Sequence, residues 1–173
     1  NPRIYMTYAM PLSLGVCGER ECMDIRLMEE FPLEEIPARM NAHLPADLQV
    51  LDATEPVDKF EDVQFADYEM FLETTDPDNF MAKLQELMDR ETILVLKHTK
   101  KGDKDFDIKP DFAGTQAKRA EGGLVLQLRL PCSMNGSTNP ALLLEALKRY
   151  EGVELYCSIT RKRLLRKDFS ELR

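Results

Sequence analysis

The side chains of this chain that could do chemistry are mostly cations, gathered in two stretches of its second half. Lys97, His98, Lys100, Lys101 and Lys104 form one cluster. Arg161, Lys162, Arg163, Arg166 and Lys167 form the other, in a run (159–167) that holds no acid. Such density suits phosphate, because each neutralised phosphate releases counterions and guanidinium forks match its oxygens. Other chemistries are poorly served. A nucleophile needs a base beside it, and only His43 and His98 could act as one. His43 is expected at a helix end, a structural position, and His98 among lysines suits phosphate contact better than proton transfer. Cys17, Cys22, Cys132 and Cys157 show neither Cys-x-x-Cys pairing nor histidines at zinc spacing. They read as reduced structural thiols, a Cys17–Cys22 bridge being the lesser alternative. Acid pairs such as Glu29-Glu30, Glu34-Glu35 and Glu61-Asp62 suit solvation and helix starts. Gly122-Gly123 precedes a strand, so it reads as a turn and not as a phosphate cradle. No catalytic residue, metal or cofactor is expected, and the ten residues of the two clusters are the candidate RNA-binding set.

A chain of 173 residues with 43% apolar content can bury one full core or two small ones. No apolar run approaches the ~20 residues that span a bilayer, and a cytoplasmic protein without membrane contact is expected. The net charge of −8 hides a division. Residues 1–90 carry 7 basic against 20 acidic residues, a balance of −13, whereas residues 91–173 carry 16 against 11, a balance of +5. Asymmetry of this kind marks a basic partner-facing surface beside an acidic one, or two halves that attract each other.

Hydrophobic periodicity supplies the elements that must position the cations. Residues 4–10 and 23–27 alternate as strands. Leu33, Ile36, Met40 and Leu44 share a helical face, with Pro37 predicting a kink or a helix start, and residues 48–53 return as a strand. A polar connector spans 55–63. Residues 66–73 then alternate, Asp76-Pro77 caps a helix buried through Phe80, Leu84, Leu87 and Met88, and residues 92–97 form a strand. Phe106, Ile108 and Pro110 read as a short edge strand. Residues 124–130 are the clearest strand, Asn139-Pro140 starts a helix, and residues 153–159 form the last strand, leaving the basic run as its tail.

The expected fold class is therefore α+β, with tandem ferredoxin-like (split βαβ) halves. Residues 1–54 give β-β-α-β, an incomplete first half, and 64–173 give β-α-β-β-α-β with a basic C-terminal end. The incomplete half would leave a strand position open for a partner. In the complete half, strands two and four are expected to leave the sheet at one end, three strand spacings or roughly 14 Å apart. Both basic clusters would then share a single cationic rim. Tyr156 beside it could stack a base.

Three segments carry a family resemblance. Pro11-Leu12-Ser13-Leu14-Gly15-Val16 runs into Glu21-Cys22-Met23-Asp24-Ile25, Met40-Asn41-Ala42-His43-Leu44-Pro45 leads to Leu48-Gln49-Val50, and Asn139-Pro140 precedes the basic end. In this order the chain resembles the radical-SAM-linked protein family, a bacterial domain of unknown function. Members of that family begin with a strand and an Arg-rich helix, whereas this chain opens at Asn1-Pro2-Arg3-Ile4, so the first strand-helix unit is expected to be missing. The Cys-x-x-x-Cys-x-x-Cys motif of a radical-SAM catalyst is not in this sequence. The resemblance implies a non-catalytic accessory domain that binds structured RNA, such as tRNA or rRNA, and assists a radical-SAM or RNA-metabolism enzyme. Two alternatives stand beside it. One is an adaptor that docks a partner protein through the incomplete half, and the other is a metal-independent RNA nuclease using His98 and its lysines.

Overall fold

The computed structural model describes residues 5–99 and 102–173, the side chains of 97–99 excepted. Its elements in chain order begin with β1 (Met6–Tyr8), β2 (Val16–Gly18), β3 (Met23–Ile25) and α1 (Ile36–Asn41). There follow β4 (Val63–Glu73), α2 (Pro77–Met88), β5 (Leu94–Thr99), β6 (Gly102–Asp107) and α3 (Lys109–Phe112). The chain continues through β7 (Gln116–Ala120), β8 (Gly123–Ser133), β9 (Gly136–Ser137), α4 (Leu142–Glu151) and β10 (Cys157–Arg166). The class is α+β.

The main sheet has the order β2-β10-β4-β8-β7, with β9 pairing the end of β8. β10, β4, β8 and β7 are mutually antiparallel neighbours, and β2 joins β10 in parallel. Strict alternation builds this sheet. Ala66, Tyr68, Met70 and Leu72 of β4 and Leu124, Leu126, Leu128 and Leu130 of β8 all point to one face and are buried there. Helices α2 and α4 close that face through Phe80, Leu84, Leu87, Leu143 and Leu147. Each such side chain contributes about 1.5–3 kcal/mol on burial.

The helix ends follow from local chemistry. The Asp76 carboxylate accepts the Asn79 backbone N–H at 3.1 Å, with Pro77 in the first turn of α2. Asn139 Oδ1 likewise accepts the Ala141 N–H at 3.0 Å ahead of α4. α4 stops at Gly152, whose φ of 63° is the left-handed conformation glycine adopts without a Cβ penalty. Gly123 matters for a different reason: a Cβ there would lie 2.0 Å from the Leu72 carbonyl oxygen, so β8 can start against β4 only with glycine.

The arrangement departs from the ferredoxin-like expectation in four places. The predicted second strand, β5, lies outside the main sheet and pairs only with β6, in a separate hairpin. β7, a polar strand with no apolar alternation, takes the place beside β8. Of the predicted edge strand at Phe106, Ile108 and Pro110, only Phe106 is in a strand, β6; Pro110 is in the first turn of the short helix α3, where its missing N–H costs nothing. The last strand runs 157–166 instead of 153–159, so the basic run is the strand itself.

The first half also differs. β1 and β3 form a two-stranded ribbon, while β2, between them in sequence, is an edge of the main sheet. Residues 48–53 are not a strand. The Asn41 amide holds that stretch, donating to the Val50 carbonyl at 3.0 Å and accepting its N–H at 2.7 Å, as a neighbouring strand would. α1 begins at Ile36, next to Pro37, as the proline predicts. All four cysteines are free.

Candidate nucleic-acid interface

The sheet geometry expected to bring the two cationic clusters to one rim is not found, because β5 is not a strand of the main sheet. A strand that returns from a helix to the same sheet runs parallel to the strand before the helix. β5 would thus run with β4 and against β10, so the ends expected together would be opposite even in the predicted topology. The hairpin of β5 and β6 is in fact anchored to the helix layer. The Tyr150 hydroxyl bonds both the N–H and the carbonyl of Leu94 at 3.2 Å, and Arg149 donates to the same carbonyl at 3.1 Å. Lys97 pairs with Lys104 across the hairpin and His98 with Asp103. Lys104 is exposed, Lys100 and Lys101 lie outside the described residues, and so do the side chains of Lys97 and His98.

The second cluster divides by strand parity. Arg161 points to the core face opposite Tyr68 and is 2% exposed. Its Nε donates to Glu21 Oε1 at 2.9 Å, and its terminal nitrogens donate to the Met10 carbonyl at 2.9 Å, the Pro11 carbonyl at 3.2 Å and Glu21 Oε2. All three of its nitrogens are engaged inside the protein. Burial works against the Arg161 charge, but Glu21 outweighs it and holds the guanidinium above its usual range. Burial first, and then Cys132, push the neighbouring Tyr68 phenol up to about 12, against the opposing pull of Arg161.

Residues of two resemblance segments line the same cavity of about 90 Å³: Pro11, Leu12, Ser13 and Val16 from one, Asn139 and Pro140 from the other. Arg161 binds the first of them into the sheet, so this cavity is a junction of the fold. Thr138, also on its wall, donates its hydroxyl to Asp111 at 2.5 Å. Arg166 pairs with Asp58 at 2.9 Å, and Lys167 is exposed beyond the strand.

Lys162 and Arg163 are the members of the cluster that reach the face opposite the helices, beside a bulge between Arg161 and Arg163 in the ladder with β4. That face is ordered in rows by the strand register. Arg163, Asp67 and Arg129 form one row. The next holds Thr160, Glu69, Gln127 and Gln116, and the one after it Ser158, Phe71, Val125 and Lys118. Tyr156, 71% exposed, lies one step further at the start of β10, its carbonyl accepting the Glu73 N–H at 3.1 Å.

The first row is the most organised charge arrangement on this face. Arg129 Nε donates to Asp67 Oδ1 at 2.7 Å and its terminal nitrogen to Oδ2 at 3.1 Å, while Arg163 Nε donates to Oδ2 at 2.8 Å. Arg129 also lies over the Phe169 ring, 4.8 Å from its centroid. Two guanidinium groups thus share one carboxylate, leaving a net positive charge with both side chains held in place, at 41% and 46% exposure. Burial raises the Asp67 carboxyl, but the hydrogen bonds and charges of Arg129 and Arg163 outweigh it and hold the group below its ordinary range. A preorganised pair with free guanidinium edges suits a phosphate oxygen.

Sequence reasoning found Arg163 and missed Arg129 and Asp67, since the three sit on separate strands and only the register unites them. The thiols do not enter this chemistry: burial, then Glu21 and Glu171, raises Cys22, and burial pushes Cys157 up to about 11. His43 is exposed just past the end of α1, as expected. Among the described residues no three histidine, cysteine or acidic side chains converge to hold a metal ion, and no helix is long and apolar enough to cross a membrane.

No curated protein matches the chain, and no solved structure does. A bacterial family described as "Uncharacterized protein conserved in bacteria (DUF2344)" matches residues 1–140, from the N-terminal segment that Arg161 anchors through the sheet strands carrying Asp67 and Arg129, and the chain belongs to that family.

Proposed function

We propose that this protein is a non-catalytic accessory module that binds RNA on the open face of its main sheet and works in the cytoplasm beside a radical-SAM or RNA-metabolism enzyme. The observation that carries this reading is the Arg129–Asp67–Arg163 row, a rigid cationic element on an accessible surface. Lys162 lies beside it at the bulge of β10, and Lys118 stands two rows away on β7. In this reading β4 to β10 derive from the split βαβ plan, β7 having taken the position of the second strand, and the loss of that strand frees the β5–β6 hairpin to add Lys104 and its neighbours as a second contact.

The test is binding of labelled RNA over a salt series. Affinity should fall as salt rises, through counterions released at the β5–β6 hairpin and the net charge of the arginine pair. Replacing Arg129 and Arg163 together by Gln should weaken binding about tenfold or more, while Asp67→Asn, which removes a negative charge, should not weaken it. Binding that ignores both salt and the arginine pair would refute the proposal. The RNA should be recovered intact, whereas a nuclease would shorten it.

A second reading, the partner-docking adaptor, draws on one observation. On the β1–β3 ribbon, Met6 faces Ile25 and Tyr8 faces Met23, which makes one side of the ribbon wholly apolar, yet Tyr8 remains 59% exposed. A two-stranded ribbon is marginal alone, so a protein partner covering this side would stabilise it. The exposed acids that follow it in the chain, Glu29, Glu30, Glu34 and Glu35, favour a partner with a basic rim.

A further inference from the structure

Resting on the RNA reading above, we infer that the open sheet face takes single-stranded RNA, with a phosphate at the Arg129–Arg163 pair and bases stacked on Phe71 and Tyr156. The order of the rows carries this. At one end are the guanidinium groups, and two rows along β4, about 14 Å away, is the aromatic Phe71. Between them lies a row of neutral hydrogen-bonding groups, Gln116, Gln127 and Thr160, with Glu69 as an acceptor. Cation, hydrogen-bonding edge and ring face therefore follow one another along the strands, in the order a splayed single strand presents phosphate, base edge and base face.

The charge count separates this from duplex binding. A helical RNA hides its base faces and must be held by phosphate contacts and shape. Of the four cations on this face, Arg129 and Arg163 share Asp67 and Lys162 is paired with Glu19. Few counterions remain to be released, so electrostatics alone bind weakly. Stacking supplies what charge does not, and it needs unpaired bases. Phe71 is half-buried between Ser158 and Val125, a fixed platform, while Tyr156 stands clear of the sheet.

The experiment measures fluorescence anisotropy of a labelled single strand of about a dozen nucleotides and of the same strand in a duplex, both in about 50 mM salt. Because Phe71 packs in the sheet, Tyr156→Ala carries the test, with its thermal unfolding checked against the unaltered protein. The single strand should bind at least about tenfold more tightly than the duplex, and Tyr156→Ala should weaken single-strand binding about tenfold without changing unfolding. A duplex bound as tightly as the single strand, or single-strand binding indifferent to Tyr156, overturns the inference. If in that case the arginine variants still weaken binding, the RNA reading stands without it. If neither RNA form binds, both fall.

Discussion

The two ends of this chain are packed by different rules. From β4 onward, every second residue of the central strands meets a helix, and the core closes with Met70, Leu72, Leu124 and Leu126 fully buried. In residues 5–57, by contrast, only Ala9, Met10 and Ile36 are buried apolar residues among those described, while ten of the fifteen large exposed apolar side chains lie there. Tyr5, Tyr8, Leu14, Met28, Leu51 and Val57 are among them. The later part buries an amphipathic pattern against itself. The earlier part is held mainly by specific polar ties, through Arg161 and Asn41, and keeps its apolar side chains in water. A surface like that fits the proposed partner-docking role.

That difference can be broken by mutation. Leu126 sits fully buried in the middle of the sheet, so Leu126→Ala should lower stability by about 4 kcal/mol in a denaturant titration. Leu51→Ala, at 68% exposure, should change it by no more than about 0.5 kcal/mol. Equal losses would mean that the first 57 residues are packed as tightly as the rest. Next in size is Glu21→Ala, which leaves the buried Arg161 without its counter-ion and should cost about 3 kcal/mol. Hydrogen exchange should show the loosening in residues 9–22, with β4 and β8 still protected; uniform loss of protection would contradict the clamp role.

Asn41→Ala should cost about 1 kcal/mol, and its effect should be local. Limited proteolysis should then cut within 43–57 faster than in the parent protein, and an unchanged cutting rate would argue against the Asn41 tie. The smallest effect concerns acid. The Asp67 carboxyl lies below its unfolded value of 3.8, so the stability it contributes is present above that value and is lost as pH falls through the lower folded value. Asp67→Asn should therefore flatten the acid limb of the stability curve below about pH 4. A variant with an unchanged acid limb would show that the arginine row does not hold the carboxylate.

What was legible from the sequence follows period and capping. β4, α2, β8 and α4 declare themselves by alternation or a 3.6-residue stripe, with Asp76-Pro77 and Asn139-Pro140 ahead of the helices. β7 escaped notice because Gln116–Ala120 is a polar edge strand with nothing to alternate. β10 was displaced for a similar reason: five basic residues look like a solvated tail, and the bulge after Arg161 interrupts the period of two. Leu48 to Ala53 has the apolar content of a strand but forms none, since the Asn41 side chain already satisfies the backbone of Val50.

By itself, the sequence determined the α+β class, the two capped helices and the two central strands, because these rest on interactions between residues close along the chain. Tertiary structure alone decided which cations face water. Arg161 and Arg163 are two residues apart, yet one is buried against Glu21 and the other shares Asp67 with Arg129 on the outer face. Strand register and a bulge set that choice, since both depend on partners 62 to 140 residues away and not on neighbours in sequence.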